Sequence, residues 1–130
     1  MSNGLQRVML VEDDPSIQTI VKMSLEVVGG LQVTIASSGI EALRLVRKAR
    51  PQIILLDVMM PEMDGPQTLA ELQKDPELSS IPVVFMTAKL QKHEVAELES
   101  LGVVGVIPKP FEPMTLAQRV SALWQSAAQK

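Results

Sequence analysis

Five short aliphatic runs recur along the chain, each followed by a polar stretch with helical spacing, and this alternation constrains the fold more than any other feature. Val8-Met9-Leu10-Val11, Leu31 to Ala36, Ile53 to Leu56, Pro82 to Met86 and Val103 to Ile107 read as strands. Runs that are apolar on both alternating positions suit central strands covered on both faces. Helices are predicted over Pro15 to Val28, Ser38 to Arg50, Pro66 to Lys74, Gln91 to Leu101 and Pro113 to Ala127. Gly29-Gly30 and Gly102 punctuate the first and fourth, and Pro51 follows the second. Strict strand–helix alternation with short connections implies a parallel sheet, right-handed crossovers and helices on both faces. Five such units suit a doubly wound α/β sheet in the flavodoxin-like order 2-1-3-4-5, whose ligands lie beyond the carboxyl ends of the strands. A closed barrel would need about eight units.

Composition narrows the function classes. At 130 residues and 46% apolar content, the chain can bury one core and is not disordered. Its core is aliphatic and Met-rich, with eight Met, no Tyr, and only Phe85, Phe111 and Trp124 as aromatics. Acidic and basic residues interleave to a net charge of −3, without the basic, aromatic-laced patch that grips nucleic acid. The absence of Cys excludes disulfides and thiolate metal sites. Met1 to Arg7 lacks a signal-peptide core and no apolar run is long enough to span a bilayer, so a cytoplasmic location is expected.

The chemistry is read from polar residues that directly follow strands. Glu12, Asp13 and Asp14 follow the first strand, Asp57 the third, Thr87 the fourth and Lys109 the fifth. A parallel sheet gathers all of them at one edge, with Asp13, Asp14 and Asp57 in one cleft at the switch point. Two unit charges about 4 Å apart repel by on the order of 4 kcal/mol at an effective dielectric near 20. Either some carboxyls hold protons or a cation binds, and hard oxygen donors without His or Cys point to Mg²⁺. Mg²⁺ keeps waters and accepts phosphate oxygens, and Lys109 and the Thr87 hydroxyl suit the same group. Each residue also has a plain structural reading. Asp14 before Pro15 is a good N-cap, Asp57 and Thr87 suit turns or caps, and Lys109 suits solvent. Met63-Asp64-Gly65 reads as a turn with Gly65 at positive φ. Joint placement after four different strands is the specific signal.

These segments resemble the receiver domain of bacterial two-component response regulators from about Arg7 to Trp124, within a single domain spanning 1–130 with short polar tails. The matching stretches are Val8 to Pro15, Leu56 to Gly65 with Asp57-Val58-Met59-Met60-Pro61 inside it, Val84 to Ala88, and Lys109-Pro110-Phe111. The resemblance implies a signalling switch rather than a turnover enzyme. Asp57 would accept a phosphoryl group from a histidine kinase or phosphotransfer protein. Asp14 would ligate Mg²⁺ directly, Asp13 largely through water, and the Met59 carbonyl would complete the protein's share. Lys109, Thr87 and the Ala88 N–H would bind the phosphoryl group, and Lys109-Pro110 would be cis, aiming the lysine into the cleft. An effector or partner would read the change, with the fourth-helix, fifth-strand and fifth-helix face as partner or dimer surface. Direct nucleic-acid contact and membrane insertion are not expected.

Several positions depart from the family pattern or stay bland. Val106 stands where relatives carry an aromatic, so the usual aromatic reporter is missing and a receiver-like interaction scaffold with weak or no phosphorylation is the alternative. Apolar Met59 is expected to shield the acyl phosphate from water, and Lys89 to contact it. His93, the only histidine, is expected to face solvent. A phosphatase would want an acid at Met59, and a flavin carrier a Ser/Thr/Gly-rich loop where Asp13 and Asp14 stand. Only Gln125 to Lys130 lie beyond the matching stretch, which suits a stand-alone receiver slightly better than a fragment.

Overall fold

The computed structural model describes residues 4–88 and 91–128. Five parallel strands, β1 (Arg7–Val11), β2 (Gln32–Ala36), β3 (Ile53–Asp57), β4 (Val83–Thr87) and β5 (Gly105–Pro108), form one sheet in the order β2-β1-β3-β4-β5. The intervening helices are α1 (Pro15–Met23), α2 (Gly39–Ala49), α3 (Gly65–Lys74), α4 (Lys92–Glu99) and α5 (Leu116–Ala128). This is the doubly wound order expected from the alternation.

Strand parity divides the core. Val8 and Leu10, Ile53 and Leu55, Val84 and Met86, and Ile107 face one side, where Val21 of α1 and Leu116 and Val120 of α5 cover them. Met9 and Val11, Ile54 and Leu56, and Val83 and Phe85 face the other, against Val46 of α2, Leu69 and Leu72 of α3 and Leu98 of α4. Successive strand residues point to opposite faces, so strands wrapped on both sides must be apolar along their length, as β3 is up to Leu56 and β4 up to Met86.

The helices start where their sequences supply caps. Asp14 accepts from Ser16 N–H ahead of Pro15, Ser38 from Glu41 N–H, and Asp64 from Gln67 N–H in a reciprocal capping box. The first helix does not continue as α-helix to Val28. Ser24–Val28 form a π-helical turn, with Gly29 N–H bonding Ser24 C=O at 3.2 Å, before Gly30 leaves at φ +69°. The turn packs closely on α5: a Cβ on Gly29 would lie 2.6 Å from Ala117 Cβ. The last helix starts at Leu116 rather than Pro113, after a turn in which Thr115 N–H bonds Glu112 C=O. Trp124 is half-buried at the opposite edge of the sheet from the strand carboxyl ends, near Gly4 before β1 and in a hollow shared with Ser79, Pro82 and Gly102.

Candidate functional site

The carboxyl ends of β1, β3 and β5 bring Glu12, Asp57 and Lys109 together. Parity decides which acid enters. Leu10, Leu55 and Ile107 lie on the same face, so Glu12, Asp57 and Lys109, each two residues further on, follow them. Register agrees, since Val11 pairs with Leu56 and the next residues in step are Glu12 and Asp57. Glu12 N–H still bonds Ala36 C=O at 3.0 Å, which holds its backbone to the sheet edge.

Glu12 and Asp57 are buried, at 1% and 5% exposure. The Lys109 ammonium bridges them, donating to Glu12 Oε1 at 2.7 Å and to Asp57 Oδ1 at 3.0 Å. Burial raises the Glu12 carboxyl from its ordinary 4.5 to about 7, with the negative charge of Asp57 adding to the rise. Bonds from Lys109 and from Asp14 N–H oppose that rise. Burial also works to lower the Lys109 pKa, but its bonds to Glu12 and Asp57 outweigh this and hold it above its ordinary value. The lysine therefore stays charged.

The exposed Asp13 carboxylate completes a group in which one oxygen each from Glu12, Asp13 and Asp57 lies within 4.8 Å of the others. Asp14, expected as the direct metal ligand, is not in this group. It stands at the start of α1, where its Oδ1 accepts from Ser16 N–H at 2.8 Å, and strand parity turns Glu12 into the cleft in its place. Glu12 is thus the site residue that a reading of the acidic run by position misses. The period-two pattern of β1 contained the signal.

Three carboxylates against the single charge of Lys109 leave the cluster net negative, and its hard oxygen donors fit a divalent cation such as Mg²⁺. The other expected residues lie nearby. Thr87 ends β4 and is buried, and its carbonyl accepts from Lys109 N–H at 2.9 Å. Ala88 follows and is exposed. Met59 N–H reaches Asp57 Oδ1 at 3.4 Å, and the residue is 64% exposed. Val106 is half-buried and pairs with Phe85 across β4 and β5. The Lys109-Pro110 peptide is cis. His93 is exposed, and the expectation for Lys89 lies outside the described residues.

The turn after β3 corrects the expectation for Gly65. Positive φ falls on Glu62, at 68°, and not on Gly65. Gly65 serves close approach instead: its N–H bonds Val58 C=O at 2.9 Å, and a Cβ there would lie 2.6 Å from the Asp57 carbonyl oxygen.

This fold and strand-edge site define a CheY-like receiver architecture, and comparison with known proteins gives the family. The model of the response regulator receiver domain matches residues 8–121, and the chain belongs to that family. It is 35% identical over 122 residues to the DNA-binding response regulator MtrA of Mycolicibacterium smegmatis, covering 94% of this chain and 52% of that protein. It is 33% identical over 127 residues to the probable transcriptional regulator ycf27 of Porphyra purpurea, covering 98% of this chain and 51% of the relative. The chain therefore spans about half the length of these curated relatives. Among solved structures, the chemotaxis protein CheY4 of Vibrio cholerae superposes with a TM-score of 0.84 at 29% identity, covering 92% of this chain and 99% of that one. The phosphorylated cyanobacterial phytochrome response regulator RcpA superposes with a TM-score of 0.77 at 28% identity, covering 95% and 96%. No helix among the described residues is long and apolar enough to cross a membrane.

Proposed function

We propose that this receiver domain is a phosphoacceptor switch in which Asp57 takes a phosphoryl group from the phosphohistidine of a histidine kinase or phosphotransfer protein. The observation that carries the reading is the Lys109 ammonium held 3.0 Å from a buried aspartate at the carboxyl edge of the sheet. Asp57 Oδ attacks phosphorus, an O–P bond forms, and the P–N bond to the donor imidazole breaks. Phosphoryl transfer asks for positioning and charge neutralisation more than for further covalent chemistry. Lys109 meets that need by passing from Asp57 Oδ1 to a phosphoryl oxygen. The Thr87 hydroxyl and the Ala88 N–H donate to the same group.

Asp13, Asp57 and the Met59 carbonyl are the proposed donors for Mg²⁺, with Glu12 beside them and Asp14 retained as helix cap. Bound there, the metal supplies neutralisation of charge on the transferring group. The resulting acyl phosphate changes the field at Thr87, and the segment leading into α4 carries that change to a cytoplasmic partner or effector.

Intact mass after incubation with acetyl phosphate and Mg²⁺ tests the proposal. The expected result is one added phosphoryl group on the wild-type chain and none on Asp57→Asn. No gain in the wild type, or an equal gain in the variant, overturns it.

A further inference from the structure

The acidic turn after β1 is held from behind by a neutral side chain. Gln18 stands on α1 one turn beyond the Asp14 cap, where its own N–H bonds Asp14 C=O at 3.0 Å. Its side-chain Nε2 donates to Glu12 C=O at 2.6 Å and to Ser37 Oγ at 3.2 Å. A carbonyl oxygen only accepts, so the amide nitrogen, not the amide oxygen, must face Glu12. Ser37 follows β2, and its N–H is held in turn by Glu41 Oε1 at 2.7 Å. The half-buried Gln18 amide therefore joins the turns that leave two neighbouring strands.

Both backbone groups of Glu12 are thereby engaged, its N–H by Ala36 C=O of β2 and its C=O by Gln18. That C=O shares a rigid peptide plane with the Asp13 N–H, so fixing the oxygen fixes the plane on which Asp13 is built. Asp13 is exposed, and packing does little to aim its carboxylate, whereas Glu12 and Asp57 are buried. Oxygens of the three carboxylates lie within 4.8 Å of one another and repel. An unheld turn would relax by swinging the exposed one outward. We infer that Gln18 is a positioning residue for the cation donors: its amide holds the Glu12–Asp13 peptide so that the Asp13 carboxylate stays beside Glu12 and Asp57 before a divalent cation arrives. This rests on the reading of Asp13 and Asp57 as Mg²⁺ donors. The effect falls on cation affinity, because the Gln18 amide reaches the turns after β1 and β2, while Asp57 ends β3 and Lys109 follows β5.

Gln18→Met tests this, since it keeps side-chain length, helix preference and net charge while removing the donor. In Mn²⁺ titrations followed by electron paramagnetic resonance, repeated with Mg²⁺ by calorimetry, the unphosphorylated variant is expected to bind about tenfold more weakly than the wild type. Its phosphorylation by acetyl phosphate should be slower at limiting Mg²⁺ and return to within about twofold of the wild type at saturating Mg²⁺. A residue that only braces the fold would lower the urea midpoint and leave cation affinity unchanged, and that result overturns the inference. Proton NMR of the cation-free wild type supplies a check that needs no variant. The Gln18 side-chain amide should give two resolved, slowly exchanging signals, and rapidly exchanging signals overturn the bond itself. A wild-type chain that binds neither cation removes the Mg²⁺ reading, and the positioning role falls with it. Equal binding by wild type and Gln18→Met removes the positioning role alone.

Discussion

Glu12 shows how one residue's backbone phase outweighs its neighbours' chemistry. Three consecutive acids follow β1, and all are compatible with a cation site by residue type. Only the alternation of β1 distinguishes the one pointing at Lys109 from the one that caps α1. Asp57 and Lys109 were legible because each follows its strand without an acidic or basic competitor beside it. Burial also gives Glu12 a measurable signature. Its carboxyl titrates near 7 in the folded chain and near 4.5 when exposed, so the folded state retains a proton that the unfolded state releases between those values. The stability this contributes is complete below about 4.5 and is lost as pH rises through 7. Urea unfolding in chelator-treated buffer at pH 4.5 and 7.5 should show the wild type losing on the order of 2–3 kcal/mol more than Glu12→Gln. Parallel pH profiles for the two proteins would contradict the burial argument.

At the scale of elements, the five strands and five helices follow from the alternation, and their ends differ by a few residues where local bonding decides. The π-turn at Ser24–Val28 was not legible, because apolar spacing at Leu25, Val27 and Val28 does not distinguish an i−5 from an i−4 bond. Nor was the reason for Gly65. The sequence Met63-Asp64-Gly65 signals a turn, but the need for glycine comes from the Asp57 carbonyl, which is distant from that turn in local pattern. Backbone atoms of β3 leave no soft neighbour to yield. Gly65→Ala is therefore expected to destabilise by about 1–3 kcal/mol through overpacking. It should also displace the loop that holds Met59, and slower phosphorylation at equal folded fraction would read that displacement. An alanine variant with wild-type stability and wild-type rate would refute the close-approach argument.

Over the whole molecule, two aliphatic layers on opposite faces of one sheet support a site at a single edge. Phe85 is the largest of the fully buried side chains and anchors the layer under α2, α3 and α4. Replacing it with alanine should cost about 3–5 kcal/mol, a large share of the 5–15 kcal/mol that holds a typical domain together. Denaturant titration would show this as a lower midpoint at nearly constant slope. A loss below 1 kcal/mol would mean that the layer repacks freely.

Parallel strands give the sheet two unlike edges, and the chain's optical groups sit on the wrong one for its chemistry. Trp124 lies at the amino edge beside Gly4, while Glu12, Asp57 and Lys109 occupy the carboxyl edge, and there is no tyrosine to compensate. Intrinsic fluorescence will thus follow loss of the native packing around α5 and would remain nearly silent to the proposed binding of a cation or phosphoryl group at the carboxyl edge. To watch switching by light, an indole would have to be introduced near Met59, at the other end of the strands.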